Sequence, residues 1–300
     1  MRPCLLASMG CLALGRARSG DVVDVTAAEA AAFRDRGLVV LENVLTEDEV
    51  RSIEAHFDDV VDNRVPGLQA EMANDFTDMS QPFSTPFQDW RIVNAMLPHK
   101  YHPPLRNNVW ERVALRLARQ IYPDADLVQD YDQLLDKRPG QERAVFSWHQ
   151  DMAYWPPAAL TANDTRTVTA TLAIDDETPE NGCLKFLPES NKAKALRPHR
   201  PLVAGGRSEA HAVVANVDEA TEVFEFAPVK RGGVTLHDEW VVHGSSGNAH
   251  PTFRRRTYVI AYRSSKIVAA ERAAGFTHSH NDVANWDTFN PSIVAPNAEL

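Results

Sequence analysis

From residue 127 onward the chain is a succession of short strands separated only by turns, and that pattern admits few folds. Residues 127–135, 145–149, 167–174, 184–187, 223–226, 234–236, 240–243 and 258–262 are short runs rich in β-branched and aromatic side chains. Val168 to Ile174 alternates in polarity, as a half-buried strand should. Glu180-Asn181-Gly182-Cys183 and Lys230-Arg231-Gly232-Gly233 read as turns. Strands that follow one another without helices cannot build a parallel α/β sheet. They predict a jelly roll or a related double-sheet barrel.

Helices come before this β region. Thr26 to Glu29 is a capping box that opens an alanine-rich helix, and Gly37 ends it. Thr46 to Glu49 is a second box, followed by Val50, Ile53, Phe57 and Val60 at helical spacing. Residues 63–102 read as irregular, broken by Pro66, Pro82, Pro86 and Pro98. Val109, Val113, Leu117 and Ile121 then share one face of a third helix. Helices first and strands after predict a mainly β protein with flanking helices, an α+β arrangement in one domain. Residues 1–24 read as an N-terminal extension, disordered or targeting, because the apolar stretch from Cys4 to Leu14 is too short to span a bilayer. The domain itself covers residues 25–274, with 188–222 as a surface insertion. Residues 275–300 read as a peripheral polar tail.

The net charge of −10 argues against a nucleic-acid or anionic-membrane partner. The cysteines Cys4, Cys11 and Cys183 make no disulfide framework and no CxxC, which fits a reducing, cytoplasmic compartment. The basic run from Lys192 to Arg200 reads as a solvated loop. The expected oligomeric state is a monomer or a weak homodimer.

His149-Gln150-Asp151 carries the chemistry. A histidine and a carboxylate two residues apart lie on one side of a strand or its end. His243, distant in sequence, sits where a strand runs into the Gly244 turn, and can complete a triangle on a metal. Two imidazoles and one carboxylate leave three cis positions on an octahedral ion, which suits a non-haem Fe(II) that binds a chelating co-substrate and O2. Phe253 to Thr257 holds three consecutive arginines. Alternation puts Arg254 and Arg256 on one face and Arg255 on the other. A 2-oxo acid bound at the metal needs one buried cation for its far carboxylate.

His149-Gln150-Asp151, the run from Glu180 to Ser190, Leu196-Arg197-Pro198-His199, and His243 to Asn248 with Arg254 together resemble the phytanoyl-CoA dioxygenase family. The resemblance covers most of residues 25–265. It implies an Fe(II)- and 2-oxoglutarate-dependent dioxygenase on a double-stranded β-helix, the jelly-roll, cupin-like core. It implies that His149, Asp151 and His243 are the iron ligands, with Fe(II), 2-oxoglutarate and O2 required and ascorbate stimulatory. Arg254, which has the family spacing from His243, would hold the 5-carboxylate of 2-oxoglutarate, with Ser245 beside it. Gln133 falls where the family has a co-substrate contact. Thr171 faces the same pocket, where some members carry tryptophan. Related halogenases lack the carboxylate that Asp151 supplies, so the expected reaction is hydroxylation of an unactivated C–H bond, with succinate and CO2 released. Tyr154, Trp155 and Trp240 are candidate contacts for a small organic substrate. Two other readings compete: a non-catalytic β-barrel binding protein, and a cupin-type metal-dependent isomerase or hydrolase.

Overall fold

The computed structural model describes residues 23–156, 163–204, 206 and 209–285. Most of the N-terminal extension and residues 286–300 of the tail lie outside the described residues. Helix α1 (Ala27–Arg36) opens with the expected capping box: the Thr26 hydroxyl accepts from Glu29 N at 3.2 Å, and Thr26 N donates to the Glu29 carboxylate at 2.7 Å. Gly37 closes it at φ 84°, the left-handed conformation that glycine takes without cost. Strand β1 (Leu38–Leu41) follows, then α2 (Glu47–Val61), capped by the same device at Thr46. Val50, Ile53, Phe57 and Val60 form its buried stripe.

Residues 63–102 are more ordered than expected. They hold α3 (Leu68–Met72), β2 (Phe76–Asp78), β3 (Ile92–Met96) and α4 (Pro98–Tyr101). Both strands are short and carry buried polar residues, Asp78 and Asn94, which hide the alternation. The Asp78 carboxylate accepts from the backbone N–H of Ser80 and Arg91, so it organises the loop between the two strands. Helix α5 (Val109–Ile121) then packs against β4 (Leu127–Lys137), the long central strand.

The remaining strands are β5 (Phe146–His149), β6 (Thr167–Ala173), β7 (Leu184–Phe186), β8 (His199–Pro201), β9 (Val213–Ala215), β10 (Glu225–Ala227), β11 (Val234–His237), β12 (His243–Ser245) and β13 (Arg255–Ser264), and helix α6 (Ser265–Ala273) follows. They form a seven-stranded sheet in the order β1-β11-β6-β13-β4-β3-β2 and a four-stranded sheet in the order β10-β7-β12-β5, paired antiparallel throughout. This is the predicted jelly-roll core, mainly β with flanking helices. Helices α2 and α5 cover one face of the large sheet, around Phe57, Trp110, Leu117 and Tyr258. No helix among the described residues is long and apolar enough to cross a membrane.

Two peripheral assignments need correction. Residues 188–222 are not a free surface insertion. Asn191 is buried and donates to Asp238 at 2.8 Å, and the β8–β9 hairpin carries buried Val213. Two basic residues of this stretch are paired: Lys192 with Asp35 at 2.7 Å and Arg197 with Glu222 at 2.7 Å. The start of the tail is not peripheral either. Phe276, His278, Ser279 and His280 are buried, and His278 lies 2.9 Å from the Asp130 carboxylate.

Candidate active site

The two candidate histidine ligands arise side by side. His149 ends β5 and is the register partner of His243 on β12, which brings the two rings to 4.2 Å between centroids. Gln150 points the other way and locks the turn: its amide donates to the carbonyls of Trp240 and Ala195, and its oxygen accepts from Arg197 N. That anchor lets the chain bend into the 3-10 turn Asp151–Tyr154 and returns Asp151 to the side of His149.

The donor atoms point at one another. His149 Nδ1 lies 2.7 Å from the Ser147 carbonyl, and His243 Nδ1 lies 3.0 Å from the Val241 carbonyl. A carbonyl only accepts, so each Nδ1 carries the proton and each Nε2 presents a lone pair. Both Nε2 atoms lie 3.5 Å from Asp151 Oδ1. Burial, with the imidazoles of His149 and His237 beside it, pushes His243 well below its ordinary value, so it stays neutral. Burial opposes ionisation of Asp151, but the surrounding histidines, with His237 Nε2 3.2 Å from Oδ2, hold the carboxyl well below the usual range. Two lone pairs and a carboxylate oxygen facing one another in a buried site need a cation between them. The donor set of two imidazoles and one carboxylate fits Fe(II).

The other oxygen of Asp151 is held separately. Oδ2 accepts from the Thr169 hydroxyl at 2.8 Å and lies 3.2 Å from His237 Nε2. Thr169 on β6 and His237 on β11 are register partners, so adjacent strands supply both contacts. Sequence reasoning missed this pair. The signal was the row of threonines 167, 169 and 171 on one face of a fully buried strand.

A cavity of about 480 Å³ opens beside the triad and is lined by Gln133, Thr171, Ser245, Thr257 and Arg255 among others. Gln133 also donates to Asn94 Oδ1 at 2.6 Å. The structure corrects the choice of arginine. Arg254 does not line the cavity: it forks onto Asp136 at 2.9 Å and Asp62 at 3.1 Å on the outer face. Arg256 points the same way, toward Asp175, Asp58 and the helix α2 residue Glu54. The alternation is as predicted, but the inner face is the one that carries Arg255, Thr257 and Val259. Acids on and just after α2 draw the outer pair.

Arg255 is buried at 2% exposure and donates from Nη2 to Glu177 at 2.9 Å. Its Nε is buried with no hydrogen-bond partner. Lys137 lies across the strand pair from it and donates to Ser245 Oγ and the Ser246 carbonyl, each at 2.5 Å. Burial pulls the Lys137 ammonium well below its ordinary value, and Arg255 pulls the same way. Glu177 also accepts from the Thr257 hydroxyl at 2.8 Å. The inner end of the cavity therefore presents a paired guanidinium with an unused donor.

A second cavity of about 410 Å³ adjoins the first and shares Tyr131, Gln133, Phe146, His149 and Asp151 with it. Tyr154 and Trp155 line it, as predicted candidates, together with Met79, Met96, His211 and His278. Tyr154 and His211 stack at 4.9 Å. Trp240 lines neither cavity; it is packed in an apolar cluster with Met152, Trp155 and Phe276. Its large apolar ring serves the core.

The geometry has counterparts among known proteins. The peroxisomal phytanoyl-CoA dioxygenase of Mus musculus is 21% identical over 234 residues, 74% of this chain and 64% of that protein. The chain thus spans somewhat under two thirds of that relative's length. The ectoine dioxygenase of Sphingopyxis alaskensis is 23% identical over 244 residues, 79% of this chain and 75% of that protein. EvdO2 from Micromonospora carbonacea var. aurantiaca, solved with 2-oxoglutarate, superposes with a TM-score of 0.63 at 22% identity, covering 82% of this chain and 93% of that one. The sequence profile described as Phytanoyl-CoA dioxygenase (PhyH) matches residues 33–256, which shows that the chain belongs to the phytanoyl-CoA dioxygenase family.

Proposed function

We propose that the protein is an Fe(II)- and 2-oxoglutarate-dependent dioxygenase that hydroxylates a C–H bond of a small organic molecule. One arrangement carries the proposal: the His149–Asp151–His243 triad and the Arg255 guanidinium border a single cavity. His149 Nε2, His243 Nε2 and Asp151 Oδ1 would hold the metal. Bound iron supplies the redox chemistry that couples decarboxylation of 2-oxoglutarate to succinate and CO2 with transfer of one oxygen atom from O2 to the substrate.

The protein's own groups position the reactants. Arg255, oriented by Glu177, would receive the far carboxylate of 2-oxoglutarate through its spare Nε–H, and Ser245 and Lys137 lie at the same end. Gln133 and Thr171 form part of the wall. Asp151 would supply an anionic ligand to the metal, which favours hydroxylation over halogenation. The substrate would enter the second cavity, where Tyr154, Trp155 and His211 shield the reacting bond from water.

The test is calorimetry of 2-oxoglutarate with the Mn(II)-loaded protein under argon. The proposal expects saturable binding, and no binding overturns it. A screen of metabolites by mass spectrometry, for a 2-oxoglutarate-dependent gain of one oxygen atom, then identifies the substrate. A cupin-type hydrolase has no use for the Arg255 end and would show no such dependence.

A further inference from the structure

A second group of metal-type donors lies on the helical layer. His56 and Asp59 stand one turn apart on α2, and His102 reaches them from the C-terminal end of α4. Donor atoms of all three lie within 4.8 Å of one another. Asp59 Oδ2 is 3.4 Å from His56 Nδ1 and 3.5 Å from His102 Nε2. These separations are long for charge-assisted hydrogen bonds. They are close to what a shared ion imposes, because donors bound tetrahedrally at about 2.0–2.1 Å from zinc stand roughly 3.3 Å apart.

The state of His102 points the same way. Its side chain is 9% exposed, and Nε2 is buried with no hydrogen-bond partner while aimed at Asp59. Among the described residues no lysine or arginine pairs with the Asp59 carboxylate; its neighbours are the two imidazoles. His56 remains 38% exposed, which leaves room for water at a fourth position.

We propose that His56, Asp59 and His102 form a second divalent-cation site, of zinc type, that ties α2 to the turn after α4. Two imidazoles and a carboxylate are zinc ligands, and three protein donors with one open position is a known zinc arrangement. The site is separate from the triad, which lies between the two sheets.

Calorimetric titration of the full chain with zinc chloride tests it. The wild type should bind two equivalents. His56→Ala and Asp59→Asn, both at partly exposed positions on α2, should each bind one. His149→Ala should lose the other equivalent and keep this one. With Co(II), the visible absorption of the second equivalent should vanish in His56→Ala, while 2-oxoglutarate turnover with Fe(II) is unchanged. One zinc equivalent in the wild type, or a second equivalent that survives both α2 substitutions, overturns the proposal and leaves an ordinary polar cluster.

Discussion

At the scale of single residues, a buried guanidinium with one carboxylate partner and a spare N–H is costly unless something else comes to it. Arg255 is in that position, and an incoming carboxylate would use the spare donor. Arg255→Lys keeps the charge beside Glu177 but loses the fork. It should weaken 2-oxoglutarate binding by at least about tenfold, the loss expected for a charge-assisted contact of roughly 1.5–3 kcal/mol. Arg254→Ala should leave that affinity within about twofold. Its cost should appear as a lower melting temperature, because Asp136 is fully buried and keeps only Arg138, at 3.8 Å, as a cationic neighbour. Calorimetry and thermal melts on the two variants separate the roles, and the reverse pattern would sink the assignment. His237 invites a similar experiment. It holds the outer oxygen of Asp151 and so aims the inner one. Loss of such a support typically weakens metal binding about 10- to 100-fold. Mn(II) affinity, read by electron paramagnetic resonance, should fall in His237→Ala and recover in His237→Gln, whose amide can donate from a similar place. Unchanged Mn(II) affinity in the alanine variant would show that Thr169 suffices alone.

At the scale of elements, the parts with a clear period were legible and the parts with buried polar groups were not. Both capping boxes, the stripe of α2 and most strands from β4 to β13, though not the β8–β9 hairpin, could be read from spacing, because one face of each meets apolar core. Strands β2 and β3 could not. Thr77, Asp78 and Asn94 sit in them as buried polar residues with local work to do, and that breaks the alternation. The His149–Asp151–His243 cluster was visible because the chemistry it suits demands particular residue types at a particular spacing. Which face of β13 turns inward was not visible. Period two fixes which arginines share a side, but the side depends on the pairing with β4 and β6 and on the acids of α2. His237 and Thr169 depend on register too, since only the pairing of β11 with β6 puts them at one carboxylate.

At the scale of the whole molecule, buried acids make stability depend on pH in a way that can be traced to one side chain. Glu239 lies on the segment between β11 and β12, buried, with one oxygen accepting from the Thr165 hydroxyl at 2.9 Å and the other from Thr167 N at 3.1 Å. Burial, with Asp238 next to it, pushes its carboxyl up to about 8. The folded state therefore holds a proton that the unfolded chain releases near the ordinary value of 4.5. Stability from this group is complete below that value and is lost as pH rises through about 8. Neutral histidines such as His199, pushed by burial down to about 4, act with the opposite sign, since the unfolded chain protonates them first. The melting curve of the wild type alone cannot separate these contributions, but a difference can. Glu239→Gln removes the titration while keeping an oxygen acceptor in the same place. Between pH 5 and pH 8 its stability should fall less, or rise more, than that of the wild type. The denaturation midpoint of the wild type should move down relative to that of Glu239→Gln as the pH increases. Parallel pH profiles for the two proteins would mean that Glu239 is ionised in the folded state throughout this range.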